Sequence, residues 1–385
     1  MTLADTQTLS SRLAHAAERA AAREEQTRRL LSSAPIVLFG SGALGRTVLH
    51  GLREEGLNVI AFGDNDSSRW QQAIDGIPVR PPRELDRDAV YVITIWNAGR
   101  RRNQSAVHKQ LQDAGVRNVL SFADVYRCFP DRFLPYFAVD RHENVLRSMD
   151  AIQRVYELLA DDGSRRIFID QIEWRITAEY DALPSPGNDA QYFPRDIVQL
   201  RDDETFVDCG AYDGDTLSQF LSLTGTTTKT FNHYWALEPD LKNFAVLRSF
   251  VETLPRDVAS RVTCIAAGAS DHAGEERFDA RGSASSTFSD SGTVTIDCVR
   301  LDDLMPSCTF IKLDVEGAEP KVLHGAARLI RQCTPVLALS AYHTQAHIWE
   351  LPLLVHSMNP NYRLFYRDHN EEGFDLVLYA TDGRT

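Results

Sequence analysis

The chain has 385 residues, 43% of them hydrophobic and 25% charged, which is more than one domain usually holds and ordinary for a globular protein. Its net charge of −13 argues against a polyanionic partner, because phosphate contacts need clustered Lys and Arg and the densest basic run is only Arg100-Arg101-Arg102. No run approaches eighteen apolar residues and the N-terminus lacks an apolar signal core, so the expectation is a cytoplasmic protein with neither nucleic acid nor membrane as partner.

Residues 4–31 are rich in Ala, Arg, Glu and Leu and predict one helix, ended by Pro35. Strands are expected at 36–39, 59–62, 90–95 and 118–121, with a helix over 47–55. Such alternation predicts a small parallel sheet covered on both faces, closing near Cys128. Over 131–200 the pattern changes: Leu146, Met149, Ile152, Val155, Tyr156 and Leu159 follow helical spacing, as do Ile167, Ile172, Ile176 and Tyr180, and a loop with Pro184, Pro186 and Gly187 follows. From Thr205 the alternation resumes, with strands expected at 205–209, 233–237, 262–266, 310–313 and 336–340. A hairpin is expected around 293–299 and two closing strands at 362–365 and 375–379. The chain is therefore read as α/β, with two Rossmann-like domains: 1–130, a helical connector at 131–203, and 204–385. Its six cysteines show no zinc-like spacing, so they read as scattered thiols, and no metal site is assigned.

Chemistry concentrates in the second sheet. Phe206-Val207-Asp208-Cys209-Gly210-Ala211-Tyr212-Asp213-Gly214-Asp215-Thr216 is an apolar strand running through an acid and small residues into a helix. Glycine at such a turn lets a ligand approach the backbone, and the free amides of the helix start favour anionic groups. Glu238-Pro239 ends the next strand, where an acid can accept both hydrogen bonds of a ribose diol. Ala267-Gly268 follows the third strand and leaves room for a flat ring. Asp314-Val315-Glu316-Gly317-Ala318-Glu319 ends the fourth. Ligands bind at the carboxyl ends of strands in such sheets, so four tips converge on one crevice.

Those residues, with Gly325-Ala326, Tyr342-His343 and segments 348–352, 362–363 and 377–380, resemble the FkbM-type methyltransferases, class I enzymes that use S-adenosylmethionine. Thr344 and Asp368 depart from the basic residues expected there. The resemblance covers about 180 residues and implies a class I seven-stranded sheet at 204–385. It also implies O-methylation (EC 2.1.1) of a hydroxyl on a sugar, glycan or small natural product. The cofactor would meet Asp208, Gly210, Ala211, Asp213, Gly214, Asp215, Thr216, Glu238, Pro239, Ala267, Gly268 and Asp314. An alcohol is a weak nucleophile and needs a base or a metal. Asp314, Glu316, Glu319, His343 and His369 are the candidates; His343 is favoured because imidazole titrates near neutral pH, with Asp314 second. Glu319 precedes Pro320 and equally suits a helix cap.

The first domain carries a competing signal. Gly40-Ser41-Gly42-Ala43-Leu44-Gly45 after a strand, with Asp64 further on, has the form of a dinucleotide fingerprint. Asp64-Asn65-Asp66 and Gly76-Ile77-Pro78-Val79 instead resemble small Rossmann-like domains attached to sugar-modifying enzymes. Three roles stay open for it: binding a nucleotide-sugar, scaffolding or self-association, and an NAD-dependent oxidoreductase site.

Overall fold

The computed structural model describes residues 3–96, 104–180, 183, 186–187, 189–224, 231–279, 287–288 and 294–383. The Arg100–Arg102 run and Pro184 lie outside them. Seventeen strands are assigned among these residues. The first sheet contains β1 (Ile36–Phe39), β2 (Val59–Gly63), β3 (Ala73–Ile74), β4 (Ile77–Arg80), β5 (Val90–Ile93) and β6 (Asn118–Ser121), in the order β3-β4-β2-β1-β5-β6. All of its pairings are parallel except β3 with β4. β1 and β5 are buried on both faces, as an unbroken apolar run predicts, and β5 stops two residues earlier than expected. β3 and β4 were not foreseen as strands.

The second sheet contains β7 (Glu204–Cys209), β8 (Phe231–Leu237), β9 (Val262–Ile265), β14 (Phe310–Leu313), β15 (Val336–Ser340), β16 (Arg363–Asp368) and β17 (Leu376–Thr381). Its order is β16-β17-β15-β14-β7-β8-β9, and only β17 runs against its neighbours. That is the seven-stranded α/β sheet expected for the C-terminal half. A side sheet joins β10 (Gly268–Ala269), β11 (Gly274–Asp279), β12 (Thr287–Phe288) and β13 (Val294–Val299); the expected hairpin is β11 with β13, paired from Gly274↔Cys298 to Phe278↔Val294.

Register organises the second core. Phe206 pairs with Phe310 and, two residues on and so on the same face, Asp208 pairs with Lys312. Phe206 stacks on Tyr234 at 4.8 Å and on Phe310 at 4.5 Å. Phe193, from the irregular stretch before β7, closes this cluster. On the opposite face Val207, Cys209, Ile311 and Leu313 pack with Val155, Phe168 and Ile172 from the connector helices Met149–Leu158 and Asp162–Thr177.

The helix Leu3–Ser33 does not stay with the first sheet. Leu9, Leu13, Ala16 and Ala20 belong to the core of the second sheet, whereas Leu31 belongs to that of the first. Arg12 pairs with Asp170 at 2.6 Å and with Glu173 at 2.5 Å, and Arg23 reaches Asp124 behind β6 at 2.5 Å. One amphipathic helix thus spans both cores, which is a correction to assigning it to the first alone. No helix among the described residues is long and apolar enough to cross a membrane.

Candidate functional site

β7 is central, with β8 on one side and β14 on the other, so the chain reverses its direction of travel across the sheet at its carboxyl end and opens a crevice there. The backbone after β7 turns left-handed at Gly210 (φ 85°), Tyr212 (φ 47°) and Gly214 (φ 92°). At Gly210 the need for glycine is steric as well as conformational: a Cβ would lie 1.9 Å from the Asp314 carbonyl oxygen. Because of this turn the Tyr212 amide donates to Glu238 Oε2 at 2.9 Å. Glu238 Oε1 accepts the Asp240 amide at 2.9 Å, and Asp240 caps the helix Leu241–Glu252. Burial pushes the Glu238 carboxyl up to about 7, against the pull of those backbone donors.

The other expected cofactor residues fall around this turn. Ala211 and Thr216 are buried, Asp213 is half-buried, and Asp215 is exposed at the start of the helix Asp215–Thr224, where its Oδ1 accepts the Thr216 amide at 2.6 Å. Pro239 is half-buried beside Glu238. Ala267 and Gly268 are buried after β9, with Gly268 paired to Cys298 of the side sheet.

Asp208 is placed differently from expectation. It has no exposed surface, ion-pairs with Lys312 Nζ at 2.8 Å and accepts the Tyr234 hydroxyl at 2.7 Å. Its even-numbered place on β7 turns it onto the aromatic face, behind the turn. Burial raises its carboxyl, and Lys312 opposes that rise. Lys312 also donates to the Gly210 carbonyl at 2.7 Å, so one buried ammonium ties the strand acid to the glycine turn. Sequence reasoning passed over Lys312, although a lysine inside Phe310-Ile311-Lys312-Leu313 was itself the signal, since an ammonium in a buried strand requires a partner.

The tips of β14 and β15 bring the candidate acid–base groups together. His343 is buried, with Nδ1 2.7 Å from Glu319 Oε1, and Nε2 3.3 Å from Asp314 Oδ1 and 3.8 Å from Glu316 Oε2. Glu319 is fully buried; its Oε1 also accepts the Val315 amide at 3.1 Å, and its Oε2 lies 3.2 Å from His347 Nδ1. It therefore both closes the loop ahead of the helix Glu319–Gly325 and orients the imidazole. Glu316 is left-handed (φ 52°). Asp314 Oδ2 accepts the Tyr192 hydroxyl at 2.9 Å.

Desolvation lowers the affinity of His343 for its proton, but Glu319 and Asp314 outweigh it and hold the imidazole well above its ordinary value. This corrects the expectation that His343 titrates near neutrality: the carboxylates around it favour its protonated form. Burial would raise the Asp314 carboxyl, yet His343 and Lys312 hold it below the usual range. His369 is not part of the cluster contacts; its Nε2 lies 2.8 Å from the Tyr379 hydroxyl, and burial pushes it down to about 4. Asp368, a departure from the expected basic stretch, accepts the Gln171 amide of the connector at 3.1 Å.

In the first sheet, Asp64 repeats the arrangement of Glu238. Its Oδ2 accepts the Ser41 amide from the turn after β1 at 2.9 Å, and its Oδ1 the Asp66 amide at 2.9 Å. A Cβ at Gly45 would sit 2.2 Å from the Gly40 carbonyl, whereas one at Gly42 would meet nothing within 4 Å.

A doubly wound seven-stranded sheet with a left-handed glycine turn, a tip acid and a buried acid–base cluster defines a Rossmann-like α/β domain. Residues 208–372 match the family model "Methyltransferase FkbM domain", and the chain carries an FkbM methyltransferase domain there. It is similar to the crystal structure of methyltransferase FkbM from Methylobacillus flagellatus KT, with a TM-score of 0.80 and 25% identity, covering 97% of this chain and 100% of that one. It is also 34% identical over 102 residues to the redox-sensing transcriptional repressor Rex 2 of Enterococcus faecalis (strain ATCC 700802 / V583). That match takes in 25% of this chain and 44% of the repressor, so the chain spans less than half of that relative.

Proposed function

We propose that the protein is an S-adenosylmethionine-dependent O-methyltransferase acting on a hydroxyl of a sugar, glycan or small natural product, with 204–385 as the catalytic unit. The observation that carries this reading is the juxtaposition, at one strand-tip crevice, of the Gly210–Gly214 turn with Glu238 and of His343 held between Glu319 and Asp314.

The residues fit the cofactor. Each Glu238 oxygen accepts one backbone amide and keeps a further lone pair, which suits a ribose diol. Small Ala267 and Gly268 after β9 suit an adenine. When bound, S-adenosylmethionine supplies an electrophilic methyl whose leaving group is a neutral thioether. The chain supplies position and a proton acceptor. In its neutral form, with Nδ1–H held by Glu319, His343 would take the proton of the acceptor hydroxyl at Nε2, which lies 3.3 Å from Asp314 Oδ1, as that hydroxyl oxygen bonds to the methyl group. Asp314, anchored by Tyr192 and Lys312, stabilises the resulting imidazolium, and Glu316 adds a second negative charge beside it.

A calorimetric titration with S-adenosylhomocysteine tests the cofactor half. Glu238 must be ionised to accept from the diol, and its carboxyl stands near 7, so affinity is expected to fall about tenfold from pH 8 to pH 6 as the ionised fraction shrinks. Glu238→Ala is expected to bind too weakly to measure at either pH. Wild-type protein that takes up none of the product, or an unaffected Glu238→Ala, would end this assignment.

A second reading concerns the first sheet alone: it holds a nucleotide beside its own function-bearing partner. The Asp64–Ser41 contact, the close Gly45 approach and the likeness to the repressor support it. Fluorescence titrations with NADH and a UDP-sugar are expected to saturate with one of them and to weaken in Asp64→Ala; two flat titrations leave scaffolding as the role of that sheet.

A further inference from the structure

A cavity of about 540 Å³ opens beside His343, between the loop after β15 and the connector segment 135–148. Connector residues form much of its wall, although the methyltransferase family match begins only at Asp208. Phe137 and Trp349 offer aromatic surface in it, and Asp140, Asn144 and Arg147 line the connector side. A volume of this size takes a monosaccharide or a larger ring compound.

Two residues of the wall carry buried polar atoms that lack a well-aligned hydrogen bond. Gln345 is 3% exposed and its Nε2 donates to the Arg141 carbonyl at 3.1 Å, which fixes the amide orientation; Oε1 is then left without a hydrogen-bond partner among the described residues. His343 Nε2 has no well-aligned hydrogen bond, its nearest oxygen being Asp314 Oδ1 at 3.3 Å. Both residues line the cavity two positions apart. A buried acceptor without a donor is costly, so a hydroxyl of the occupant would satisfy Gln345 Oε1 close to the group that faces His343. Asp140 and Glu350 add further acceptors for hydroxyl protons. Arg147 is exposed, donates to Asn144 Oδ1 at 3.1 Å, and has no carboxylate partner among the described residues. Asn144 in turn donates to Asp140 at 3.0 Å, which holds this row in place.

We infer that this cavity is the methyl-acceptor site and takes a polyhydroxylated ring compound bearing an anionic group, with Gln345 anchoring a hydroxyl neighbouring the reacting one and Arg147 selecting the anion. The inference rests on the methyltransferase assignment for the direction of the chemistry, but not for binding. Acceptor specificity then resides largely in the connector, not in the strand tips that hold the cofactor.

The test is saturation-transfer NMR on the full chain, saturated with S-adenosylhomocysteine, with D-glucose, D-glucuronate and D-glucose 6-phosphate as probes. At least one anionic sugar is expected to bind about tenfold tighter than glucose, and Arg147→Gln to erase that preference. Gln345→Leu is expected to weaken the preferred probe about tenfold. Should Gln345→Leu fold poorly, the exposed Arg147→Gln variant decides alone. No binding of any probe, equal binding of charged and neutral probes, or a preference that survives Arg147→Gln would overturn the inference. A chain that binds the anionic sugar yet takes up no S-adenosylhomocysteine would keep the cavity and remove the methyltransferase reading, so the two failures are distinguishable.

Discussion

Replacing His343 with alanine is expected to lower turnover about 10²–10⁴-fold, the usual contribution of a positioned base, while affinity for S-adenosylhomocysteine changes no more than about twofold. The separation follows from placement: His343 touches Glu319, Asp314 and the acceptor cavity, whereas the Glu238 contacts to the glycine turn do not pass through it. The pH profile carries a sharper form of the same expectation. Two carboxylates keep His343 protonated well above its ordinary range, so its base form grows as pH rises and the rate should climb through the alkaline side of neutrality. Glu319→Gln keeps an oxygen to accept Nδ1–H but removes the charge, so the rising limb should move to lower pH by about one unit or more. Stopped assays of methyl transfer across pH 6–10 read both effects. A His343→Ala enzyme with wild-type turnover removes it from the chemistry, and a limb unmoved in Glu319→Gln reduces Glu319 to a helix cap.

Much of this architecture was legible because local pattern and burial agree. An unbroken apolar run such as Ile36–Phe39 marks a strand buried on both faces, and it is followed by the glycine that a crevice-facing tip requires. Asp314, Glu316, Glu319 and His343 were all in view as candidates, and they do meet. What escaped was set by tertiary packing. Asp208 reads as a ligand because it ends a strand, but strand alternation places it on the same face as Phe206, and only pairing with β14 reveals that Lys312 is opposite. Tyr192 comes from a stretch with no periodic signal and reaches Asp314 across 122 residues of sequence. The helix Leu3–Ser33 has no breaking residue along its length, so nothing local says that its two ends serve different cores. The titration of His343 was likewise unreadable: it depends on how many carboxylates fold around the ring, and the ordinary imidazole value assumes none.

The largest expected effect on stability lies at Lys312. Lys312→Met leaves the Asp208 carboxylate fully buried with Tyr234 as its remaining side-chain donor, and removing one member of such a pair typically costs about 3–5 kcal/mol. For a unit of this size that is a fall of about 10 °C in Tm, read by calorimetry. Neutralising both members in Lys312→Met with Asp208→Asn should recover at least half of the loss, because the penalty is the orphaned charge rather than the missing attraction. Affinity for S-adenosylhomocysteine should not recover with it. The Gly210 carbonyl, which takes its hydrogen bond from Lys312 at 2.7 Å, is left without that donor in the single and the double variant alike, and the turn that carries the Tyr212 amide to Glu238 loses its anchor in both. Stability and binding would then part company at one residue. A single variant as stable as the wild type, or a double variant that regains full affinity, would show that the buried ammonium does not hold the glycine turn.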